Sequence, residues 1–432
     1  MSSLSSVSII TKKRRRPAPQ KSSKEHSKQK KESSKKSSNS KSDGKKSPTV
    51  IQTLGKGNCI SVSERFRKVG RIGQGTYGVV YKAEDRQTPG DFVALKRCIP
   101  HHTDSEGFPI TTIREIQALR ILQDHPNVIS LRIDIGMVAI SKHDIPYLVL
   151  EYADHDLAQL MDHHYTKTHQ HAKRQRKSQF HSLGGNQHKI EGPFREAHIK
   201  TLMQQLFSAI ECLHEHRLIH RDIKVSNLLY THRGQLKLAD FGLSRSLLAE
   251  TELDPKWGGY HMTQHVVSLW YRPPELLLGS ECYNQSIDLW GAGCVMAELL
   301  QGFPLYGNCK SEGETIEAIF ASLGTPTVES LPNLMDMPLI KLGLISLSGP
   351  SPSFAWNERK SKKSSHNSMM LLLDSFSYLS TSGLLLLTHL LHYDANNSRL
   401  TAKQALESAY FTSQPLPTPP SEMPKFASLH SE

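Results

Sequence analysis

Large apolar residues are sparse in residues 1–62, which are built mainly from Ser and Lys, and become frequent only from about Phe66 onward. A stretch of that composition cannot bury enough surface to offset chain entropy, so it is expected to be disordered. From Phe66 the pattern changes twice. Val79-Val80-Tyr81-Lys82-Ala83 alternates and is β-branched, as in a strand, and Val93-Ala94-Leu95-Lys96 follows a turn at Thr88-Pro89-Gly90 as another. Helical spacing then takes over. Ile113, Ile116 and Leu119 recur on a helix whose start is marked by Pro109 and the threonines after it. Ile199, Leu202, Met203, Leu206, Ile210 and Leu213 mark a long amphipathic helix, and Asp288-Leu289-Trp290-Gly291-Ala292-Gly293 opens a further one. Strands early and helices late predict an α+β chain of two lobes.

Two stretches interrupt the helical part. Residues 165–192 are rich in His, Lys, Arg and Gln with little periodicity, and 344–370 are rich in Ser, Pro and Lys; both read as surface insertions. His163, His164, His169 and His171 lack an accompanying acid or Cys, so a mobile basic loop is expected there rather than a metal site. Gly383–Leu391 is too short for a membrane span and reads as a buried helix. Residues 413–432 form a Pro-rich C-terminal tail.

Charge sharpens the division. Of the 53 Lys and Arg, 15 fall in residues 1–50, against 3 of the 41 Asp and Glu, so the tail carries the whole formal charge of +12 and the remainder is neutral. A nucleic-acid-binding fold would carry its excess on a folded face, which this distribution does not provide. A weak contact of the tail with RNA stays open. Lys12-Lys13-Arg14-Arg15-Arg16-Pro17 is a compact basic cluster of the kind read by import receptors, which predicts a nuclear protein with a cytoplasmic pool left open. The six cysteines show no paired or zinc-type spacing, as in a reduced compartment.

Candidate chemistry gathers between His220 and Gly242, in His-Arg-Asp-Ile-Lys-Val-Ser-Asn and Leu-Ala-Asp-Phe-Gly. Asp222 can accept a hydroxyl proton, while Asn227 and Asp240 can hold metal ions bridging phosphates. Upstream, Gly73-x-Gly75-x-x-Gly78-x-Val80 precedes a strand, not a helix, so it suits a hairpin folded over phosphates better than a dinucleotide turn. Lys96, on the next strand, suits the α- and β-phosphates, and Glu115 is its candidate partner.

Together these motifs resemble the eukaryotic protein kinases over residues 66–411. Pro109-Ile110-Thr111-Thr112-Ile113-Arg114-Glu115, after Glu106-Gly107-Phe108, resembles the cyclin-binding helix of cyclin-dependent kinases, nearest the PITSLRE branch and its sister branch. Thr112 and Ile113 depart from the Ser and Leu of that signature. The resemblance implies a bilobal fold, with a small mainly β N-lobe over 63–151 carrying one regulatory helix and a larger mainly α C-lobe over 152–412. It implies ATP and Mg²⁺, with Asp222 as the proton acceptor, Lys224 on the transferring phosphoryl group, and Asn227 and Asp240 on metal. Ile72, Gly73, Gln74, Gly75, Thr76, Tyr77, Gly78, Val79, Val80, Ala94, Lys96, Glu151, Ala153, Asp156 and Leu229 would bind ATP, with Leu150 as gatekeeper of the hinge.

The resemblance also implies regulation. Arg114, Arg221 and Arg245 would gather a phosphate placed on Thr263 by an activating kinase. Thr76 and Tyr77 match an inhibitory phosphorylation pair, and Glu115 would be set by a cyclin, an L-type one in this branch. Asp222 and Asp240 would wait in a misaligned site until that partner and that phosphate arrive. Val266, Val267 and Arg272 match the segment that makes relatives prefer Ser/Thr-Pro substrates on nuclear proteins. The activation segment, Asp240 to Glu275, is several residues longer than in relatives around Leu248–Gly259, and Asp288 resembles a brace of the catalytic loop. Lys96, Glu115, Asp222, Asn227 and Asp240 are all present, which disfavours an inactive scaffold. A mitogen-activated type would carry Thr-x-Tyr, whereas Thr263 is followed by Gln264 and His265. Deleting residues 12–16 is expected to shift a fluorescently tagged chain from nucleus to cytoplasm; an unchanged distribution would remove the import reading.

Overall fold

A computed structural model describes residues 60–75, 78–98, 109–135, 138–141, 145–166, 192–249, 253–254, 256–263, 266–345, 347, 372 and 375–427. A six-stranded sheet, ordered β1-β5-β6-β4-β3-β2, forms the small lobe. Its strands are β1 Ile60–Ser61, β2 Phe66–Gly75, β3 Gly78–Asp85, β4 Phe92–Arg97, β5 Val138–Ile140 and β6 Pro146–Glu151. The β2–β3 hairpin closes at Gly75 opposite Gly78. Gly78 is required there: φ is +155°, and a Cβ would overlap the carbonyl oxygen of Arg97.

The period-two alternation on β4 decides what each face does. Val93 and Leu95 point into a small core with Val62, Phe66, Ala83, Ala139, Tyr147 and Val149. Ala94 and Lys96 face the opposite side, towards the cavity between the lobes. The sheet begins earlier than the sequence suggested. Ile60 and Ser61 pair parallel with β5 and Val62 is buried, so residues 60–62, read as part of the tail, belong to the small lobe. Two residues are too few to show an alternating pattern.

The helix Ile110–Ile121 lies in the expected place with a different inward face. Thr112, Glu115, Ala118 and Leu119 are buried, whereas Ile113, read as part of the apolar stripe, is exposed together with Ile110 and Ile121. In the large lobe the helix Glu196–Glu215 buries Ile199, Leu202, Met203, Leu206, Ile210 and Leu213 as its spacing predicted. The helix Ser286–Gln301 is enclosed nearly all round, with Trp290 at its centre. Cys98, Cys282, Cys294 and Cys309 are buried free thiols. No described helix is long and apolar enough to cross a membrane. The His-rich insertion beyond residue 166 and most of 344–370 lie outside the described residues, as do residues 1–59.

The Pro-rich C-terminal segment is a strap. Thr201 Oγ1 donates to the Thr418 carbonyl at 2.6 Å and Tyr230 Oη to the Pro424 carbonyl at 2.6 Å. Met423 is buried, and Phe426 packs edge-on against His155, Phe194 and Tyr230. The strap thus runs along the large lobe towards the interlobe hinge.

One ion pair ties distant parts of that lobe. Arg399 Nη1 and Nη2 donate to Glu275 Oε1 and Oε2 at 2.7 and 3.0 Å, and the guanidinium stacks 5.2 Å from the Trp290 ring. Both side chains are buried. Removing one partner strands the other charge, so Arg399→Ala is expected to cost about 3–5 kcal/mol. Chemical unfolding measures this, and a loss below about 1 kcal/mol would contradict a buried pair.

Candidate active site

β8 (Leu218–Ile219) delivers the chain to His220, where a buried carboxylate takes over the backbone. Asp288 Oδ2 accepts from the His220 N–H and Oδ1 from the Arg221 N–H, both at 2.9 Å, and His214 Nε2 lies 3.0 Å from Oδ2. Although burial opposes the charge, these donors hold Asp288 below the usual carboxylate range. Asp288 is a brace, as expected. It keeps Arg221 at φ 66°, a left-handed conformation unfavourable for a side chain of this size. His220 packs edge-on against Phe241, and burial pushes its pKa down, so the ring is neutral. Its Nδ1 accepts from the Asp222 N–H at 3.2 Å, which places the proton on Nε2, 3.1 Å from the Ala239 carbonyl.

Asp222 is held through both oxygens. Oδ1 accepts from Ser268 Oγ at 2.9 Å and from the Ser268 N–H at 3.2 Å. Oδ2 accepts from Asn227 Nδ2 at 3.0 Å and pairs with Lys224 Nζ at 2.6 Å. Asn227 Nδ2 also donates to the Asp222 carbonyl at 2.8 Å, leaving its amide oxygen as a possible metal ligand. Lys224 Nζ donates in turn to Ser268 Oγ at 2.9 Å. Ser268 was missed in the sequence because the contact spans 46 positions; the only signal was a hydroxyl inside a segment already linked to substrate.

β9 (Leu228–Tyr230) and β10 (Leu236–Leu238) form an antiparallel pair that returns the chain to Asp240, at φ 63°. Lys96 Nζ lies 2.8 Å from both Glu115 oxygens and 2.8 Å from Asp240 Oδ1. Two carboxylates outweigh the burial of the ammonium and raise its pKa. Burial raises the Asp240 pKa, but the Lys96 charge and hydrogen bond outweigh it, and the net shift is downward. The expectation of a misaligned site is therefore corrected: Lys96, Glu115 and Asp240 are already joined in the single chain.

A cavity of about 300 Å³ separates the lobes. Ile72, Gly73, Gly78, Val80, Ala94, Leu150 and Leu229 give it apolar walls, with Glu151, Ala153 and Asp156 along the hinge and Lys96, Glu115, Lys224, Asn227 and Asp240 at its polar end. Burial pushes the Asp156 carboxyl up to about 6, while its Oδ1 accepts the N–H groups of Ala158 and Gln159. Val79 is not on the wall; alternation along β3 gives that face to Gly78 and Val80. Gln74 and Gly75 belong to the hairpin strand, and Thr76 and Tyr77 lie outside the described residues. Ile129, His155, Ser226 and Ala239 also line the cavity and carried no local sequence signal.

The activation segment ends in a strained peptide. Val267, a β-branched residue, sits at φ 66°, and Arg272 Nη2 donates to its carbonyl at 3.0 Å while Nε donates to the Val266 carbonyl at 3.1 Å. Thr263 is exposed. Its carbonyl accepts from Tyr283 Oη at 2.8 Å, and that hydroxyl accepts from Arg221 Nη1 at 3.0 Å. Burial and then the charges of Arg245 and Arg221 lower the Arg114 pKa, which places the three arginines in one neighbourhood.

The family model described as the protein kinase domain matches residues 66–411. Cyclin-dependent kinase 10 of Rattus norvegicus is 38% identical over 381 residues, covering 88% of this chain and 89% of its own. Serine/threonine-protein kinase PITSLRE of Drosophila melanogaster is 36% identical over 382 residues, 88% of this chain and 35% of that protein. Cyclin-dependent kinase G-2 of Oryza sativa is 36% identical over 377 residues and 86% of this chain, which spans 45% of that relative's length. Among solved structures, the yeast RNA Pol II CTD kinase CTDK-1 complex aligns with TM-score 0.60 and 32% identity over 82% of this chain and 95% of that one. The CAK complex of Chaetomium thermophilum bound to ATP-γ-S gives 0.63 and 30% over 88% and 100%.

Ser268→Ala removes a charge-assisted hydrogen bond from Asp222 that is worth about 1.5–3 kcal/mol. The expected result is a phosphotransfer kcat lower by about 10- to 100-fold, with KM for ATP near wild type and Tm lowered by only a few degrees, so that the variant stays folded in the assay. An unchanged kcat would show that Ser268 does not position Asp222.

Proposed function

This chain belongs to the protein kinases, within the cyclin-dependent family near its PITSLRE and cyclin-dependent kinase 10 branches, and from that premise we propose an active cyclin-dependent Ser/Thr kinase. It would transfer the γ-phosphoryl group of ATP to Ser or Thr followed by Pro on nuclear proteins. The observation that carries this reading is the closed Lys96–Glu115–Asp240 cluster at the polar end of a cavity that also holds Lys224 and Asn227, the residues that clamp Asp222.

Phosphoryl transfer proceeds through a loose transition state, so positioning and charge do most of the catalysis. The backbone of Glu151 and Ala153 would receive adenine, and Ile72, Val80, Ala94 and Leu229 would enclose it. Lys96, fixed by Glu115, binds the phosphates nearest the base. Asp240 and Asn227 present a carboxylate and an amide oxygen, the hard donors Mg²⁺ prefers. Mg²⁺, when bound there, neutralises the charge of the phosphates. Asp222, fixed by four donors, orients the substrate hydroxyl and takes its proton, while Lys224 accompanies the transferring group. Because Lys96 already occupies Asp240 Oδ1, nucleotide binding must share that carboxylate between ammonium and metal.

Substrate choice would follow from Val267. Its carbonyl is turned into Arg272 and cannot accept the N–H of the residue after the phosphoacceptor. A proline has no such N–H and forfeits nothing. Exposed Ile110, Ile113 and Ile121 on the helix that carries Glu115 support a cyclin docked there, an L-type one by branch. A neighbour described as an RNA Pol II CTD kinase complex supports substrates in transcription or RNA processing. Phosphate on Thr263, supplied by an activating kinase, would meet Arg114, Arg221 and Arg245.

The test uses the full chain with a co-purified cyclin, ATP, Mg²⁺ and a peptide library. Wild type is expected to select Pro after the acceptor. Asp222→Asn should lose about 10²–10⁴ in rate with unchanged unfolding, and Thr263→Ala should lower activity in the same assay. Wild-type rates in Asp222→Asn, or a library without proline preference, would overturn the respective parts.

A further inference from the structure

The lengthened part of the activation segment forms its own hairpin. The Asp254 N–H donates to the Gly259 carbonyl at 2.9 Å and the Gly258 N–H to the Asp254 carbonyl at 2.8 Å. Three amides from separate parts of the large lobe hold the arm. Asn333, Asn396 and Asn284 donate through Nδ2 to the carbonyls of Lys256, Trp257 and Gly258, each at 3.0 Å. The chain then enters β12 (Tyr260–His261), paired with β13 (Cys282–Tyr283), with His261 directly opposite Cys282. Gly259 lies so close to Tyr283 that a Cβ would stand 2.7 Å from its backbone.

This folding brings together three ligand types. One ligand atom from each of Asp254, His261 and Cys282 lies within 4.8 Å of the other two. Asp254 Oδ1 is occupied, accepting the N–H groups of Lys256 at 2.8 Å and Trp257 at 3.3 Å. Its Oδ2 is left on the cluster side, 3.2 Å from His261 Nε2. Cys282 is buried, whereas the His261 side chain is 65% exposed, giving the cluster a dry base and an open mouth.

We propose that Asp254, His261 and Cys282 form a three-ligand site for a zinc-class divalent cation, the fourth position open to solvent. Carboxylate, imidazole and thiolate together suit Zn²⁺ or Co²⁺, whereas Mg²⁺ and Ca²⁺ select oxygen donors. Orientation of Asp254 through its second oxygen is the kind of support that metal ligands need. On binding, the Cys282 thiol gives its proton to solvent, the His261 imidazole ligates in its neutral form and keeps the N–H on its other nitrogen, and no redox change occurs. The ion would staple the arm to β13 by way of His261, two residues before Thr263.

Full-length chain titrated with Co²⁺ provides the test, since thiolate ligation gives a near-ultraviolet charge-transfer band. The expected outcome is one such band, displaced by Zn²⁺, with Zn²⁺ raising Tm and protecting the 248–259 region from limited proteolysis. His261→Gln changes only an exposed side chain and should weaken Zn²⁺ binding by about 100-fold, removing both the Tm rise and the protection. Cys282→Ser should abolish the charge-transfer band. Absence of the band in wild type would show an ordinary His–Asp contact and overturn the site. A band or a Tm rise that survives in both variants would place the ion elsewhere and overturn it equally.

Discussion

One ammonium group holds the two lobes in working order. Lys96 leaves β4 on the face opposite the small core and meets Glu115 from the neighbouring helix and Asp240 from the large lobe, each at 2.8 Å. Two carboxylates and one ammonium leave a net negative charge in a mostly buried space, an arrangement that invites further positive charge. That is the electrostatic condition for a divalent cation accompanied by a polyanion. The cluster also fixes the helix angle, because Glu115 cannot turn away without abandoning a buried charge. The exposed isoleucines on the same helix then acquire a role. Any partner seated on Ile110, Ile113 and Ile121 acts on the Glu115 position through a single rigid element.

Of the four described non-glycine residues at positive φ, Arg221 and Val267 each have an identifiable restraint. Asp288 holds Arg221 in its left-handed conformation through two backbone N–H groups, and Arg272 holds Val267 through its carbonyl. Such residues persist only where neighbours over-determine them. The restraints meet at Asp222, which receives Asn227 and Lys224 on one oxygen and Ser268 on the other. The loop that carries Asp222 and the activation segment are thereby joined at one carboxylate, so a change in the activation segment reaches Asp222 without crossing the rest of the lobe.

What the sequence revealed depended on the range of each interaction. Its position on the strand after the glycine-rich hairpin marked Lys96, and helical spacing found the inward face of Glu196–Glu215, since both are local signals. Asp222, Asn227 and Asp240 were legible because short loops fix their relative positions. Ser268, Ile129 and His155 were not, because they reach the site from other segments. Ile113 was assigned inward since periodicity marks an apolar stripe without saying whether the chain itself or a partner covers it. The Pro-rich strap reads as a tail for a related reason. Its anchors, the carbonyls of Thr418 and Pro424 bound by Thr201 and Tyr230, are backbone atoms that leave no trace in residue identity.

The inserted arm, Leu253–Gly259, shows how far that limit extends. Composition marks it only as extra length, and three asparagines scattered over more than a hundred positions decide where it lies. Each gives an amide to a backbone carbonyl, so this anchoring does not consume the Asp254 side chain. Asp254 uses that freedom, spending one oxygen on its own turn and presenting the other to His261 and Cys282. Held this way, the arm makes the position of Thr263 depend on contacts in the large lobe.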